Sequence, residues 1–396
     1  MIRPDARSPL ITFLLIALVA FGPLSTDMYL PSLPSLVRVF ETDVPTVQLT
    51  LSAFMVAFAL SMLVYGPLSD RFGRRPVLIG GTAIYVLASV ACALAPTIEV
   101  LIGARVLQAF GACAGPVIGR AVVRDVWGRD KAATVLAYIA TAMALAPAIG
   151  PIIGGWLDVA FGWASTFWAL AGFSGLALVM VVLLLGETNA HRNPDATSFG
   201  GLAKSYGALL RHRVYLGYVL TVSASYSVIF CFISGSSFVL IDVVGLTPDL
   251  YGLSFAGVVI GFMIGSFTSA RISSRLGGAQ MILMGGCLTA LGGLVMAGFA
   301  WTSAPTVWTV VGPQAFAMIG VGFIMPNAQA GAIGPFPTMA GAASALMGFT
   351  QMGLAALVGL GIAVAFDGTA RPMATGVAIA GVLALTAFLG LVRGRG

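Results

Sequence analysis

The chain has 396 residues, 59% hydrophobic and only 9% charged, with a mean hydropathy of +1.00. A soluble domain carries about 25% charged residues, so this composition excludes a globule covered by water. A formal charge of +6 would suit a nucleic-acid binder, but the basic residues fall where they orient membrane spans, so nucleic acid is not expected as a partner.

Apolar runs of about 20 residues, each long enough to cross a bilayer, recur along the chain. They are read as spans at 10–31, 47–67, 77–96, 98–120, 133–156, 165–186, 214–240, 250–269, 280–300, 306–330, 341–365 and 372–392. The expected fold is an all-α integral membrane protein of twelve transmembrane helices, with no room for a soluble domain. The ~10-residue alternating segments of a membrane barrel are absent from the sequence. Arg3 and Arg7 before the first run look like a signal peptide. The run continues to Tyr29 without a convincing cleavage site, so the first helix is expected to be retained.

Span 1 ends in Ser25-Thr26-Asp27-Met28-Tyr29-Leu30-Pro31. At ~1.5 Å per residue from Pro9, Asp27 sits about 27 Å along the helix, in its outer half. No other acid is placed so deep. A charge in hydrocarbon is costly and marks a functional candidate. A desolvated carboxyl there could bind and release a proton; an interfacial aspartate that helps the helix to end is the alternative. Pro31 and Pro34 are expected to loosen the helix end.

After span 2 comes Gly66-Pro67-Leu68-Ser69-Asp70-Arg71-Phe72-Gly73-Arg74-Arg75-Pro76. Gly66 and Gly73 permit close approach and a tight turn, and Asp70 can cap a helix or pair with an arginine. A merely basic short loop is the plainer reading. In span 4, Arg105 lies about 9 Å below Glu99, a depth similar to that of Asp27, with Gln108 and Ala112 on the same face. A buried arginine must be paired or face water. A charge relation with Asp27 is expected; an arginine tied to backbone carbonyls is the alternative. In span 5, Ala146, Gly150 and Gly154 form a face on which another helix can approach closely. Pro147 and Pro151 each remove a backbone hydrogen bond.

Glu187–Arg213 is the one long connection. Phe199, Leu202, Tyr206 and Leu209 recur there at helical spacing beside Lys204 and Arg211, which predicts a short amphipathic helix on the inner membrane face. It separates a bundle at 1–186 from a bundle at 214–396, with 187–213 as linker. Asp70-Arg71-Phe72-Gly73 after span 2 is echoed by Ser274-Arg275-Leu276-Gly277 after span 8. Duplicated halves around a central site are a common transporter plan. The second half carries no deep acid. Its polar groups are Tyr226, Ser234, Ser236, Asn327 and Gln351, near Phe323 and Met325. With Tyr29 and Gln108 they could line an apolar cavity for uncharged or weakly cationic lipophilic substrates; polar glue between helices is the alternative reading.

Most of the 20 Lys and Arg residues fall on one side of the spans, which puts both termini in the cytoplasm. Cys92, Cys113, Cys231 and Cys287 sit one per apolar segment with no ligand spacing and are read as packing residues. No phosphate-binding loop, metal cluster or hydrolase constellation is present in the sequence, so neither a cofactor nor an enzymatic activity is expected.

The stretch from Gly66 to Arg75 closely resembles the loop 2–3 signature of the major facilitator superfamily. Arg105-Val106-Leu107-Gln108-Ala109-Phe110-Gly111 resembles that superfamily's fourth-helix motif. Ala146-Pro147-Ala148-Ile149-Gly150-Pro151-Ile152-Ile153-Gly154-Gly155 resembles the fifth-helix motif of its antiporters, with Ala146 where glycine is usual. Ser25–Pro34 is similar to the twelve-span drug/proton antiporter group. Phe232–Leu240 and Pro335–Leu346 resemble the Bcr/CflA multidrug branch.

The resemblance implies two six-helix bundles related by a pseudo-two-fold repeat, in a bacterial inner membrane, working as a monomer. It implies proton-coupled export of small lipophilic compounds through Asp27 and Arg105, with export of a sugar or amino-acid derivative as the alternative. It also implies a hinge or seal in span 5. Asp70 would hold the positive end of the helix near Gly341, with Arg74 and Arg124 as its charge neighbours. A transporter-like sensor or membrane enzyme would need a signalling domain or catalytic constellation that the sequence lacks.

Overall fold

The computed structural model describes residues 8–190, 206–336 and 339–393, without the side chains of some residues between 128 and 144. The described residues form helices and no strand: α1 Pro9–Val19, α2 Phe21–Asp27, α3 Leu33–Val39, α4 Val44–Phe72, α5 Arg74–Ala93, α6 Ile98–Phe161 and α7 Ala164–Leu184. After the linker come α8 Arg213–Ser237, α9 Pro248–Leu276, α10 Gly278–Thr302, α11 Val307–Ile333, α12 Ala340–Val364 and α13 Arg371–Leu391. Among the described residues, eleven helices are long and apolar enough to cross a membrane, or twelve if the bent pair at the start is one span. The all-α membrane architecture read from the sequence is therefore present.

The bend in that first pair is 41°, and Pro23 explains it. Its ring has no N–H to give the Val19 carbonyl and crowds it, so the helix breaks at Ala20. Past Asp27 the α-helix ends and Leu30–Ser32 tightens into a 3₁₀ turn around Pro31. The loosening expected from Pro31 therefore falls just beyond the aspartate.

Helix α6 departs from the sequence expectation, which put a loop at 121–132. Its helical backbone runs unbroken from Ile98 to Phe161, and its two apolar stretches are Ile98–Trp127 and Tyr138–Phe161. Gly115 lies against Leu18, and Gly150 against Asp27. A straight helix would put these glycines about 52 Å apart. Their partners, nine residues apart on the first span, are at most about 14 Å apart on the same scale. The helical path therefore folds back between the two glycines, so that both halves of α6 pack on the first span.

The chain forms two compact units. One is Met1–Ser32 with Ala53–Phe199, the other Leu33–Ser52 with Gly200–Gly396. In the first, α5 packs on α6 and α7, and α1 and α2 pack on α6. In the second, α10 packs on α11 and α13, and α8 on α11, α12 and α13. The core of the second unit gathers Val222, Ile282, Ile324 and Phe388, with a second cluster around Tyr215, Val219 and Met347. Residues 206–211 are helical, and Leu209 is buried in that second cluster. The start of the expected linker helix, Phe199 to Lys204, lies outside the described residues, as do Pro337 and Thr338.

Each unit holds one copy of the same short joint. Gly73 (φ 102°) is the single residue between α4 and α5, and Gly277 (φ 84°) the single residue between α9 and α10. Positive φ is open to glycine at little cost. The weak sequence echo therefore marks a shared backbone turn. Three cysteines are buried, but Cys287 is exposed on α10, so the packing reading fails there. Its apolar surroundings in sequence did not reveal which helix face it occupies.

Candidate functional site

Asp27 is the last residue of α2 and is only 3% exposed. Among the described residues it is the one fully buried acid, and Arg105 the one fully buried base. The Thr26 hydroxyl lies 3.0 Å from an Asp27 carboxyl oxygen and 2.9 Å from the Pro23 carbonyl. One hydroxyl proton cannot serve both fully. An ionised Asp27 draws it; a protonated Asp27 can instead donate to Thr26 Oγ1 and free the threonine proton for Pro23. The pair can thus hold a proton or release it without leaving a buried polar atom stranded.

The small-residue face of span 5 meets this turn directly. A Cβ added at Gly150 would come within 3.1 Å of Asp27 Cβ, and one at Gly154 within 2.0 Å of the Met28 carbonyl oxygen. The interval of four residues therefore has a specific partner, the backbone that carries the carboxylate. Pro147 and Pro151 lie within the same unbroken helix, so their missing hydrogen bonds do not interrupt it.

Arg105 is fully buried in α6. One guanidinium nitrogen donates to the Ser25 carbonyl at 2.9 Å and to Gln108 Oε1 at 2.6 Å. The cation also lies over the rings of Phe54, Tyr29 and Phe167, at 4.3, 5.0 and 5.8 Å. Aromatic faces stabilise a desolvated cation by about 2 kcal/mol or more. Ion pairs among the described residues include Arg38–Asp242, Arg74–Asp70 and Arg74–Asp125. The expected direct pair between Arg105 and Asp27 is not one of them. The two charges are linked instead through the Ser25–Asp27 backbone, close to the carbonyl-tied alternative. Tyr29 and Gln108, expected as cavity lining, are fully buried around Arg105.

A second constellation surrounds Gly73. Arg74 joins Asp70 on α4 to Asp125 on α6 and also donates to Ser69. Arg71 is exposed, its guanidinium 5.2 Å from the Phe72 ring centre. Arg124 is exposed as well, and the charge beside Arg74 belongs to its neighbour Asp125. Gly66 lies inside α4 with open space where a Cβ would sit, so the tight turn belongs to Gly73 alone. Sequence reading missed two further members. The Glu187 carboxylate accepts from the backbone N–H groups of Arg74 and Arg75 at the start of α5. Asn189 donates to the Asp70 carbonyl at 3.2 Å. A Glu-Thr-Asn run just past the last apolar residue was the available cue.

In the second unit the polar residues expected around a cavity have definite partners. Ser234 donates to the Gly359 carbonyl at 2.9 Å. Asn327 donates to Ser269 at 2.7 Å, and a Cβ on Gly278 would lie 3.4 Å from its side-chain oxygen. Both act as glue between helices. Gln351 is buried and Tyr226 half-buried, its ring stacked near Phe230. A π-helical turn at Phe238–Val243 ends the seventh span and carries Asp242, 3.6 Å from Arg38. That acid lies two residues beyond the predicted end of the span, so the sequence did not single it out.

A model of the Major Facilitator Superfamily matches residues 14–360. The chain belongs to the major facilitator superfamily. This transporter is 31% identical to the uncharacterized MFS-type transporter YdgK of Bacillus subtilis (strain 168), over 97% of its own length and 96% of that protein's. It is 28% identical to the bicyclomycin resistance protein homolog of Haemophilus influenzae, over 89% and 88%. It is 32% identical to a chloramphenicol resistance protein of Pseudomonas aeruginosa, over 82% and 76%. The Bcr/CflA-like branch implied by the seventh- and eleventh-span motifs is thus supported by the full-length likeness. A solved D-xylose-proton symporter shares the fold, with a TM-score of 0.75 at 15% identity over 98% of each chain. Membership makes the chain an integral membrane transporter and not an enzyme.

Proposed function

We propose that this transporter is a proton-coupled antiporter that exports small lipophilic compounds, antimicrobials among them, by alternating access of its two halves. The observation that carries the reading is Asp27. It is a carboxyl buried at 3% exposure, with Thr26 able to stabilise both of its protonation states and the fifth-span glycines closed over it. Inward proton movement through Asp27 would favour one state of the joint between the first span and α6, and substrate would leave in the other. The kinship with bicyclomycin and chloramphenicol resistance proteins supports drug export. The basic residues support cytoplasmic termini in a bacterial inner membrane.

The test is flux of chloramphenicol and of bicyclomycin in vesicles with and without an imposed pH gradient. Asp27→Asn should insert normally and lose gradient-driven flux. Full gradient-driven export by that variant would sink the proton-site reading. Gradient-driven export of sugars or amino-acid derivatives, with neither drug moved, would transfer the mechanism to a natural metabolite.

A further inference from the structure

Five side chains of the first unit, all fully buried, close a ring of hydrogen bonds beside Asp27, and their proton positions can be assigned. Ser25 Oγ is 2.6 Å from the Phe21 carbonyl, which only accepts, so the one serine proton goes there. The Tyr85 hydroxyl, 2.5 Å from the same Oγ, must then donate to it. The Ser89 hydroxyl donates to the Tyr85 carbonyl at 2.7 Å and accepts from Gln108 Nε2 at 2.9 Å. Gln108 Oε1 accepts from Arg105, and the same arginine nitrogen reaches the Ser25 carbonyl. Ser25 is therefore gripped at both its hydroxyl and its carbonyl, two residues before Asp27.

We propose that Tyr85 is a positioning residue for proton coupling: its hydroxyl, through Ser25, fixes the last turn of α2 and with it the Asp27 carboxyl. This rests on the reading of Asp27 as the proton site. Helix α2 has only seven residues, between the break at Ala20 and a 3₁₀ turn. So short a helix does not hold itself in place and depends on tertiary contacts. Tyr85 supplies two of these contacts, one turn apart. Its ring stacks on Phe21 at 4.5 Å with the planes 3° from parallel, and its hydroxyl holds Ser25. Tyr85 is itself fixed by α6, because a Cβ at Gly111 would lie 2.5 Å from the Tyr85 backbone nitrogen. Glycine is required where two helix backbones meet this closely.

Among the described residues, the charged or titratable groups that contacts place beside this turn are Arg105 and Asp158 of α6, Tyr85 and Cys92 of α5, and Tyr29 of the turn itself. Asp158 is engaged by Ser32 at 2.9 Å.

Tyr85→Phe removes the hydroxyl and keeps the stacked ring. The experiment follows the melting temperature of the purified full-length protein against pH, which needs no substrate. Asp27→Asn defines the part of the profile that belongs to Asp27. Tyr85→Phe should move the midpoint of that part by about half a pH unit or more, the scale of one buried hydrogen bond. Ser25→Ala, which loses the other end of the same bond, should move it in the same direction, and the double variant should add little further. A uniform drop in melting temperature with an unmoved midpoint would reduce Tyr85 to core packing and overturn the proposal. A profile unchanged by Asp27→Asn would instead remove the proton-site reading beneath it.

Discussion

Gly150 sits so close to Asp27 that a Cβ added to it would come within 3.1 Å of the aspartate's own Cβ. One helical turn on, Gly154 lies against the Met28 carbonyl, with room for no Cβ at all. The first span and the second half of α6 therefore meet backbone to backbone at the carboxylate. A joint of this kind can slide or separate, but it cannot accept bulk. The two glycines differ in what opposes them. At Gly150 the obstacle is a carbon 3.1 Å away, which a shift of a few tenths of an ångström clears; at Gly154 it is a peptide oxygen at 2.0 Å, which only a larger movement of the helix could clear.

Gly154→Ala should therefore cost more than Gly150→Ala. Overpacking against backbone costs about 1–3 kcal/mol, seen as a lower melting temperature together with reduced gradient-driven flux. Gly150→Ala should remain near wild-type stability, and Gly150→Leu should lose coupled transport. Equal melting temperatures for Gly154→Ala and wild type would show that the joint is looser than described.

The Thr26 hydroxyl, placed between Asp27 and Pro23, gives a second expectation. Thr26→Ser keeps the oxygen and should transport normally. Thr26→Val keeps the shape and leaves one partner unsatisfied whichever way Asp27 is protonated. Its gradient-driven flux should fall about tenfold, the equivalent of ~1.4 kcal/mol for one lost hydrogen bond. Matched flux measurements on the two variants, with surface expression checked, decide the point. Equal flux would confine the hydroxyl to its bond with the Pro23 carbonyl.

Much of this was legible in the sequence, for reasons that differ by residue. Asp27 and Arg105 stood out because charge inside an apolar run has few innocent explanations. The spacing of Ala146, Gly150 and Gly154 announced a close helix contact, although not its partner. The direct Asp27–Arg105 pair was the economical guess from equal depth, but depth along two helices says nothing of which way the side chains face. Tyr85 and Ser89 were invisible because a tyrosine and a serine in a span are ordinary until their neighbours are known. Asp125 and Glu187 lie in stretches that read as connections between spans, where an acid is unremarkable. Their role depends on α4 and α6 both running past the expected membrane ends, and the many helix-compatible residues around 121–132 gave no boundary to read.

Arg105 separates charge from structure. Its guanidinium spans Ser25 and Gln108 and lies against three rings. A lysine carries the charge without the planar fork. Arg105→Lys should lose at least tenfold in coupled flux even though the charge is kept. Arg105→Met fills similar volume and removes a desolvated charge, which offsets part of the ~1–3 kcal/mol cost of leaving Gln108 Oε1 and the Ser25 carbonyl without their donor. It should melt within a few degrees of wild type and still fail to couple transport to the pH gradient. A fully coupled Arg105→Met protein would show that the arginine is structural.

Glu187 gives a pH dependence outside the membrane. Partial burial raises the tendency of its carboxyl to hold a proton, but the backbone N–H groups of Asn189, Arg74, Arg75 and Thr188 outweigh this and hold it below the usual glutamate range. Two of those donors open α5, where the positive end of the helix favours an anion. Because the folded value is depressed, the stabilisation is fully present above the unfolded value of about 4.3. It is lost as pH falls through the lower folded value. Glu187→Gln should therefore melt below wild type at pH 7 by a modest amount, about 0.5–1 kcal/mol for an exposed, screened group at a helix start. The difference should shrink as the pH is taken below about 4 and both side chains become neutral. Melting curves of the two proteins from pH 8 to 3 test this. A gap that persists unchanged at the acid end would mean that shape, rather than charge, holds Glu187 against α5.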